Sequence, residues 1–443
     1  MNFDTLGLAP ALLRALAEND YTIPTPIQEQ AIPLILSGHD VLGGAQTGTG
    51  KTAAFALPVL NRLSKLPPPA GPRKPRALVL VPTRELAGQV ADSFKTYGRH
   101  LKLNVTTLFG GVGMQPQIEQ LRRGVDVLVA CPGRLIDHLD RGSVKLDGVE
   151  VLILDEADRM LDMGFLPAIK RILNRLPKER QTLLFSATFE AQIKALALEF
   201  MRNPQQVQVA AQNTIAQTIT HTAHPVDGSR KRDLLIQILS QRHTDQVLVF
   251  GKTKHGCNRL AEQLEEAGLP SVAIHGNKSQ AARQKALRDF KSGRARILVA
   301  TDVAARGLDI PDLPLVINHD LPMVAEDYVH RIGRTGRNGA VGEALSLVSP
   351  EEGGLLRQIQ RLLKVDLEMD VVPGFAPSKP IRLDTPIPKN GGGGGQRPPG
   401  RPAARPHGRP AARPTAHAGP KQHRSGGQGA YAGKRNAPRG TRA

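Results

Sequence analysis

Short apolar runs, rich in leucine and β-branched residues, recur along most of this chain, with helix-compatible stretches between them. In the first half they cover 41–42, 77–81, 105–108, 127–130, 149–154 and 182–185. In the second half they cover 246–250, 271–274, 296–300, 315–317 and 344–348. Runs with so little polar interruption suit strands buried on both faces. Their alternation with helices suits parallel sheets covered on both sides. The expected class is α/β: two tandem doubly wound parallel-sheet domains, 1–210 and 221–366, joined by a linker over 211–220. After about Leu367 the pattern stops, and 367–443 reads as a disordered Gly/Pro/Arg-rich tail.

Two of the strand ends carry chemistry. After 41–42 comes Ala45-Gln46-Thr47-Gly48-Thr49-Gly50-Lys51-Thr52. Gly48 and Gly50 let the backbone turn tightly, so that successive N–H groups face one anion. A helix opening near Lys51 adds its positive N-terminus. Lys51 would reach β- and γ-phosphates, and the Thr52 hydroxyl would sit on Mg²⁺. The helix should run from 51 to 63, with Pro58 as a kink. After 149–154 comes Asp155-Glu156-Ala157-Asp158. Carboxylates just past a strand's C-terminal end stand at the ligand edge of an open α/β sheet. Asp155 would hold Mg²⁺, partly through water, and Glu156 would orient or deprotonate the attacking water. The two segments together predict a site for a nucleoside triphosphate and its metal.

With these motifs in place, residues 1–365 resemble the DEAD-box RNA helicases of superfamily 2. Phe3 and Pro24-Thr25-Pro26-Ile27-Gln28 resemble the Q motif that reads adenine. Pro82-Thr83-Arg84-Glu85-Leu86-Ala87, Gly110-Gly111 and Pro132-Gly133-Arg134 resemble RNA-contacting motifs, and Ser186-Ala187-Thr188 the motif that couples ATP state to domain closure. Val249-Phe250, Gln280-Ala281-Ala282-Arg283, Ala300-Thr301-Asp302, Arg306-Gly307-Leu308-Asp309 and His330 to Arg337 continue the series in the second half. The resemblance implies RecA-like domains, ATP and Mg²⁺ as ligands, and hydrolysis coupled to local unwinding of short RNA duplexes and to RNA–protein remodelling. Asn2-Phe3-Asp4 and the basic extension resemble the bacterial RhlE-type branch.

The resemblance also assigns roles. Gln28 would read the polar edge of adenine through an amide that both donates and accepts. Tyr21 either packs near adenine or is a helix-end aromatic. Arg334 and Arg337 would be arginine fingers across the cleft, because the second half has no phosphate loop of its own. Asp309 would contact the ribose. Ser186, Thr188, Asp158 and His330 would couple nucleotide to RNA, with a plain structural hydrogen bond as the alternative for His330. Pro82, Thr83, Arg84, Gly110, Gly111, Pro132, Gly133, Arg134, Gln280, Arg283, Thr301 and Asp302 would face RNA. Cys131 departs from the family's usual Thr before Pro132, so it either weakens a phosphate contact or is a small buried residue.

Composition narrows the partners. A formal net charge of +19 predicts a polyanionic partner. Residues 385–443 hold twelve Lys or Arg and no Asp or Glu, which leaves about +7 on the rest. In that tail Arg397, Arg401, Arg405, Arg409 and Arg413 fall every fourth residue, mostly beside proline, which forbids a helical stripe. The tail is either an extended polycation gripping RNA phosphates without sequence preference, or a solubility segment. With no tryptophan and 3% aromatic residues, stacking platforms are not the expected RNA-binding mode. Two cysteines suit a reducing compartment. No apolar run is long enough for a membrane span, and no secretory signal opens the chain, so a cytoplasmic protein is expected. Single-stranded RNA and short duplexes are the expected partners, with ribosomal precursors or RNA-decay machinery as settings. A nucleotide-gated RNA clamp with little turnover is the competing reading, and a DNA helicase a third.

Overall fold

The computed structural model describes residues 2–45, 49–65, 73–189, 191–209, 219–242, 246–305, 308, 310, 313–336 and 341–384. All of them belong to one compact unit, Met1–Lys389. Two seven-stranded parallel sheets organise it. The first contains β1 (Val41–Gly44), β2 (Ala77–Leu80), β3 (Val105–Leu108), β4 (Val127–Ala130), β5 (Val151–Leu154), β6 (Gln181–Ser186) and β7 (Gln205–Gln208), in the order β3-β4-β2-β5-β6-β1-β7. The second contains β8 (Ile219–Pro225), β9 (Val247–Phe250), β10 (Ser271–Ile274), β11 (Ile297–Ala300), β12 (Leu315–Asn318), β13 (Gly342–Val348) and β14 (Glu368–Met369), in the order β10-β11-β9-β12-β13-β8-β14.

The apolar runs became the central strands because both faces are covered. β1, β2, β4, β5, β6, β9, β11 and β12 are buried along their whole length. Val79, Ile153 and Phe185 pack toward one helical layer of the first sheet, and Leu78, Leu152 and Leu184 toward the other. Among the described residues no helix is long and apolar enough to cross a membrane.

Several expected boundaries shift. β1 extends through Gly43 and Gly44. A Cβ at Gly43 would lie 2.5 Å from the Phe185 ring, and one at Gly44 2.6 Å from Phe189, so the aromatic rings demand glycine there. The helix Lys51–Lys65 includes Pro58 and ends two residues later than expected. β8 starts at Ile219, inside the segment expected to be linker; 211–218 lie outside the described residues. The tail expected from 367 also begins too early. Leu367 and Phe375 are buried, β14 pairs with β8, and the Arg230 guanidinium lies 4.5 Å over the Phe375 ring. The expected tail residues 385–443 lie outside the described residues.

Candidate active site

Strand order sets the site. β6 lies between β1 and β5, so Ser186-Ala187-Thr188 at its C-terminal end stands between the phosphate loop and the acidic motif. Lys51 opens its helix, is buried, and donates from Nζ to the Ala45 carbonyl at 2.7 Å. Gly50 has φ +90°, and a Cβ there would lie 2.3 Å from Gln28 Nε2. That closeness reflects a tether. Gln28 accepts from the Thr25 N–H through Oε1 at 2.9 Å and donates to the Gly50 carbonyl through Nε2 at 3.1 Å. The Thr25 hydroxyl donates to the Thr49 carbonyl at 2.8 Å. The helix Pro26–Leu36 therefore holds the loop through its first turn. Thr52 is half-buried in the first turn of the Lys51 helix. Tyr21 packs edge-on against Tyr97, 5.9 Å between centroids. Gln46, Thr47 and Gly48 lie outside the described residues.

The acidic motif is strained at Glu156 and buried at Asp155 and Glu156. Glu156 takes a left-handed conformation, φ 51° and ψ 52°, at the start of the helix Ala157–Asp162. Burial opposes ionisation of Glu156, but Arg159 first, then Lys51 and Arg334, hold its carboxyl below the usual range. Asp155 behaves oppositely. Burial, with Glu156 and Asp158 adding to it, pushes its carboxyl up to about 7 against the pull of Lys51. Among the described residues no group of three or more acidic, His or Cys side chains converges here; a divalent cation would find one buried carboxylate, Asp155, whose ionised form it would favour. Asp158 is bonded to the end of β6. Its Oδ2 accepts from the N–H groups of Ala187 at 2.9 Å and Thr188 at 3.0 Å, and from the Thr188 hydroxyl at 3.4 Å. Ser186 is fully buried and accepts from the Thr188 N–H through Oγ at 3.3 Å.

Lys51, Glu156, Asp158 and Arg159 line one cleft together with His330 and Arg334 from the second half. Arg334 is buried and donates to the Leu308 carbonyl at 3.0 Å. Arg337 and Asp309 lie outside the described residues.

The residues expected to face RNA divide into two sets. In the first half, Thr83 caps the helix Arg84–Tyr97 by accepting from the Leu86 N–H. A Cβ at Gly111 would lie 2.3 Å from the Arg84 guanidinium, whereas Gly110 and Gly133 border open space. Arg134 donates to the Val112 carbonyl at 3.1 Å and to Gln117 Oε1 at 3.3 Å. Pro132 and Cys131 are buried, and burial pushes the Cys131 thiol up to about 12. In the second half Gln280 Oε1 is buried without a hydrogen-bond partner among the described residues, and Thr301 is buried. Two residues expected to face RNA also have partners within the protein. Arg283 forms a 2.6 Å ion pair with Glu85, and Asp302 takes two bonds from Arg331, at 2.6 and 2.8 Å.

Three residues to which the sequence assigned no role support these groups. Arg159 pairs with Glu156, and the signal for it was its i+3 spacing on one helix. Gln117 also donates to the Phe109 carbonyl and meets His138 Nε2 at 3.1 Å, binding the Gly110-Gly111 loop to Arg134. Buried Arg331 reaches Asp302, Asn318 Oδ1 and the Phe250 ring. Nothing local in the sequence marks contacts between residues so far apart.

Comparison with known proteins agrees with this arrangement. Residues 25–196 match the DEAD/DEAH box helicase family model, and 230–339 match the helicase conserved C-terminal domain model. "ATP-dependent RNA helicase DeaD" of Buchnera aphidicola (Schizaphis graminum) is 45% identical over 82% of this chain, which spans 59% of that relative's length. "DEAD-box ATP-dependent RNA helicase CshA" of Geobacillus kaustophilus is 43% identical over 83% of this chain and 77% of its own. Among solved structures, S. cerevisiae Dbp5 bound to RNA and ADP BeF3 superposes with a TM-score of 0.74 at 32% identity, covering 85% of this chain and 95% of that one. A phosphate loop and an acidic motif at the ends of the two strands that flank β6, two sheets of the matching fold and a CshA relative aligned over most of its length place this chain in the DEAD-box helicase family.

Proposed function

We propose that this chain is an ATP-dependent RNA helicase, hydrolysing ATP under RNA stimulation and separating short RNA duplexes locally. The observation that carries the reading is the shared cleft, where Lys51 and Glu156 of the first half meet His330 and Arg334 of the second. Lys51 would leave the Ala45 carbonyl for β- and γ-phosphate oxygens. Arg334 would meet charge spreading over the transferring phosphoryl group. Glu156, ionised by its basic neighbours, would orient the attacking water. Thr52 and Asp155 would hold Mg²⁺, which when bound supplies charge neutralisation on the phosphates. Asp158, through the Ala187 and Thr188 N–H groups, would pass the state of the site to the end of β6. Arg337 and Asp309 are assigned their finger and ribose roles by family resemblance alone.

RNA would lie along Arg84, Gly110-Gly111 and Arg134, continuing to Gln280 and Thr301, with the basic segment 385–443 adding affinity without sequence preference. The working domains are the two sheets with their helices, and a cytoplasmic site of action fits two buried, unbridged cysteines. The RhlE-type branch draws no support from the bacterial relatives, which carry the names DeaD and CshA. Steady-state ATPase with and without RNA, alongside displacement of a short duplex, tests the function. Turnover should rise on adding RNA, and Lys51→Ala should remove it while RNA binding persists. ATP-dependent RNA retention with negligible turnover would favour the clamp reading instead.

A further inference from the structure

Arg159 bonds both to the acidic motif and to the opposite half. Its Nη1 donates to Glu156 Oε2 at 2.7 Å, and its Nη2 donates to the Val303 carbonyl at 3.3 Å. Val303 lies in the short helix Asp302–Ala305, which follows β11 of the second sheet. Arg159 and Glu156 are both buried. The guanidinium thus spans from the water-orienting carboxylate to the backbone of the other half.

We propose that Arg159 is a positioning residue that makes the orientation of Glu156 conditional on closure of the cleft. The inference deepens the ATPase reading and rests on it. Glu156 needs an outside hold, because its left-handed backbone places it before the first regular turn of its helix. Lys51 favours the charge on Glu156, but its hydrogen bond goes to the Ala45 carbonyl, so it does not fix the carboxylate's direction. Arg159 does, and its planar fork lets one end fix the carboxylate while the other is fixed by Val303. When the second half withdraws, the Val303 anchor goes with it. Arg159 then regains rotamer freedom, and the carboxylate it carries is no longer held in one place. Hydrolysis is thereby confined to the closed arrangement. This differs from an arginine finger: Arg159 belongs to the same half as the phosphate loop and acts through Glu156.

The test compares the full chain with Arg159→Ala and Arg159→Lys. Three quantities are read: turnover at saturating ATP and RNA, KM for ATP, and closure followed by energy transfer between fluorophores on the two halves. Arg159→Ala should lower turnover at least tenfold, leave KM for ATP within threefold, and raise the RNA needed for half-maximal closure at least threefold. Arg159→Lys should recover little, because an ammonium keeps the charge but has no fork to hold both partners. Unchanged turnover in Arg159→Ala would overturn the proposal. So would full recovery by Arg159→Lys, which would reduce the role to charge alone. Lost turnover with unchanged closure would overturn it as well, confining Arg159 to the first half, and a large rise in KM would assign it to ATP binding. A wild-type chain without RNA-stimulated turnover would overturn the ATPase reading itself, and this inference with it.

Discussion

Glu85 and Arg283 offer a measurable handle on closure. Glu85 lies in the first turn of the helix Arg84–Tyr97, and Arg283 in the first turn of the helix Gln280–Lys291, so the pair joins the two halves. Nε to Oε1 is 2.6 Å, with side-chain exposures of 5% and 9%. Unit charges 4 Å apart attract by about 4 kcal/mol at an effective dielectric of 20. Desolvation offsets much of that in an intact pair, but removing one partner typically costs about 3–5 kcal/mol, because the other is left buried and unpaired. Here the orphan can return to water when the cleft opens, so the penalty should fall on closure rather than on folding. Glu85→Ala and Arg283→Ala should each weaken closure by roughly 10²–10³-fold, at about 1.4 kcal/mol per factor of ten. Tm should move little. The assay is an RNA titration of closure with a non-hydrolysable ATP analogue, run as a double-mutant cycle. The double variant should cost little more than either single one. If Arg283 acts by touching RNA instead, Arg283→Ala will weaken closure while Glu85→Ala does not. Additive single effects, or shifts below threefold, would refute the reasoning.

Gly50→Ala should abolish nucleotide binding in an equilibrium titration with a fluorescent ATP analogue, since its Cβ would meet the Gln28 amide at 2.3 Å from a positive-φ position. Gly133→Ala, facing open space, should bind nucleotide normally. Burial pushes both the Cys131 and Cys257 thiols up to about 12, so little thiolate exists at pH 8. A thiol reagent should label neither cysteine until denaturant is added; stoichiometric labelling within minutes would contradict that burial. Deleting 391–443 removes eleven cations and no acid. It should flatten the salt dependence of RNA binding by roughly 0.7 per lost phosphate contact while leaving turnover at saturating RNA nearly unchanged, as binding and ATPase titrations across a salt series would show.

The fold was legible where burial on both faces writes a continuous apolar run, as in β2, β4 and β5. It was obscured where another constraint outranks hydrophobicity. Gly43 and Gly44 hide half of β1 because Phe185 and Phe189 leave no room for side chains. β7, reading Gln205-Gln206-Val207-Gln208, is an edge strand with one buried residue and carries almost no apolar signal. β14 is only two exposed residues held by β8. In the site, two contiguous motifs announced their residues, one Lys51 and the other Asp155 and Glu156. The partners that hold such groups, Glu85 for Arg283 and Arg331 for Asp302, come from distant segments whose meeting only the folded sheets determine.

The two sheets follow one permutation: adding seven to each strand number of the first order yields the second. Equivalent addresses can therefore be compared. Lys51 opens the helix after β1, and Lys231 opens the helix Lys231–Gln241 after β8. Asp155-Glu156 follow β5, and His319-Asp320 follow β12. At the second address the lysine is already neutralised. Lys231 Nζ donates to Glu352 at 2.5 Å and to the His319 carbonyl at 2.9 Å, with Asp320 3.9 Å away. Asp320 is half-buried, and desolvation opposes its ionisation, yet bonding from His319, the charge of Lys231 and the Lys252 N–H hold it far below the ordinary range. A carboxylate of the chain itself sits where the other half would receive a diffusible anion. The repeated architecture thus gives its two equivalent lysines different partners, a backbone carbonyl for Lys51 and a carboxylate for Lys231, so like halves are chemically unequal at the same address.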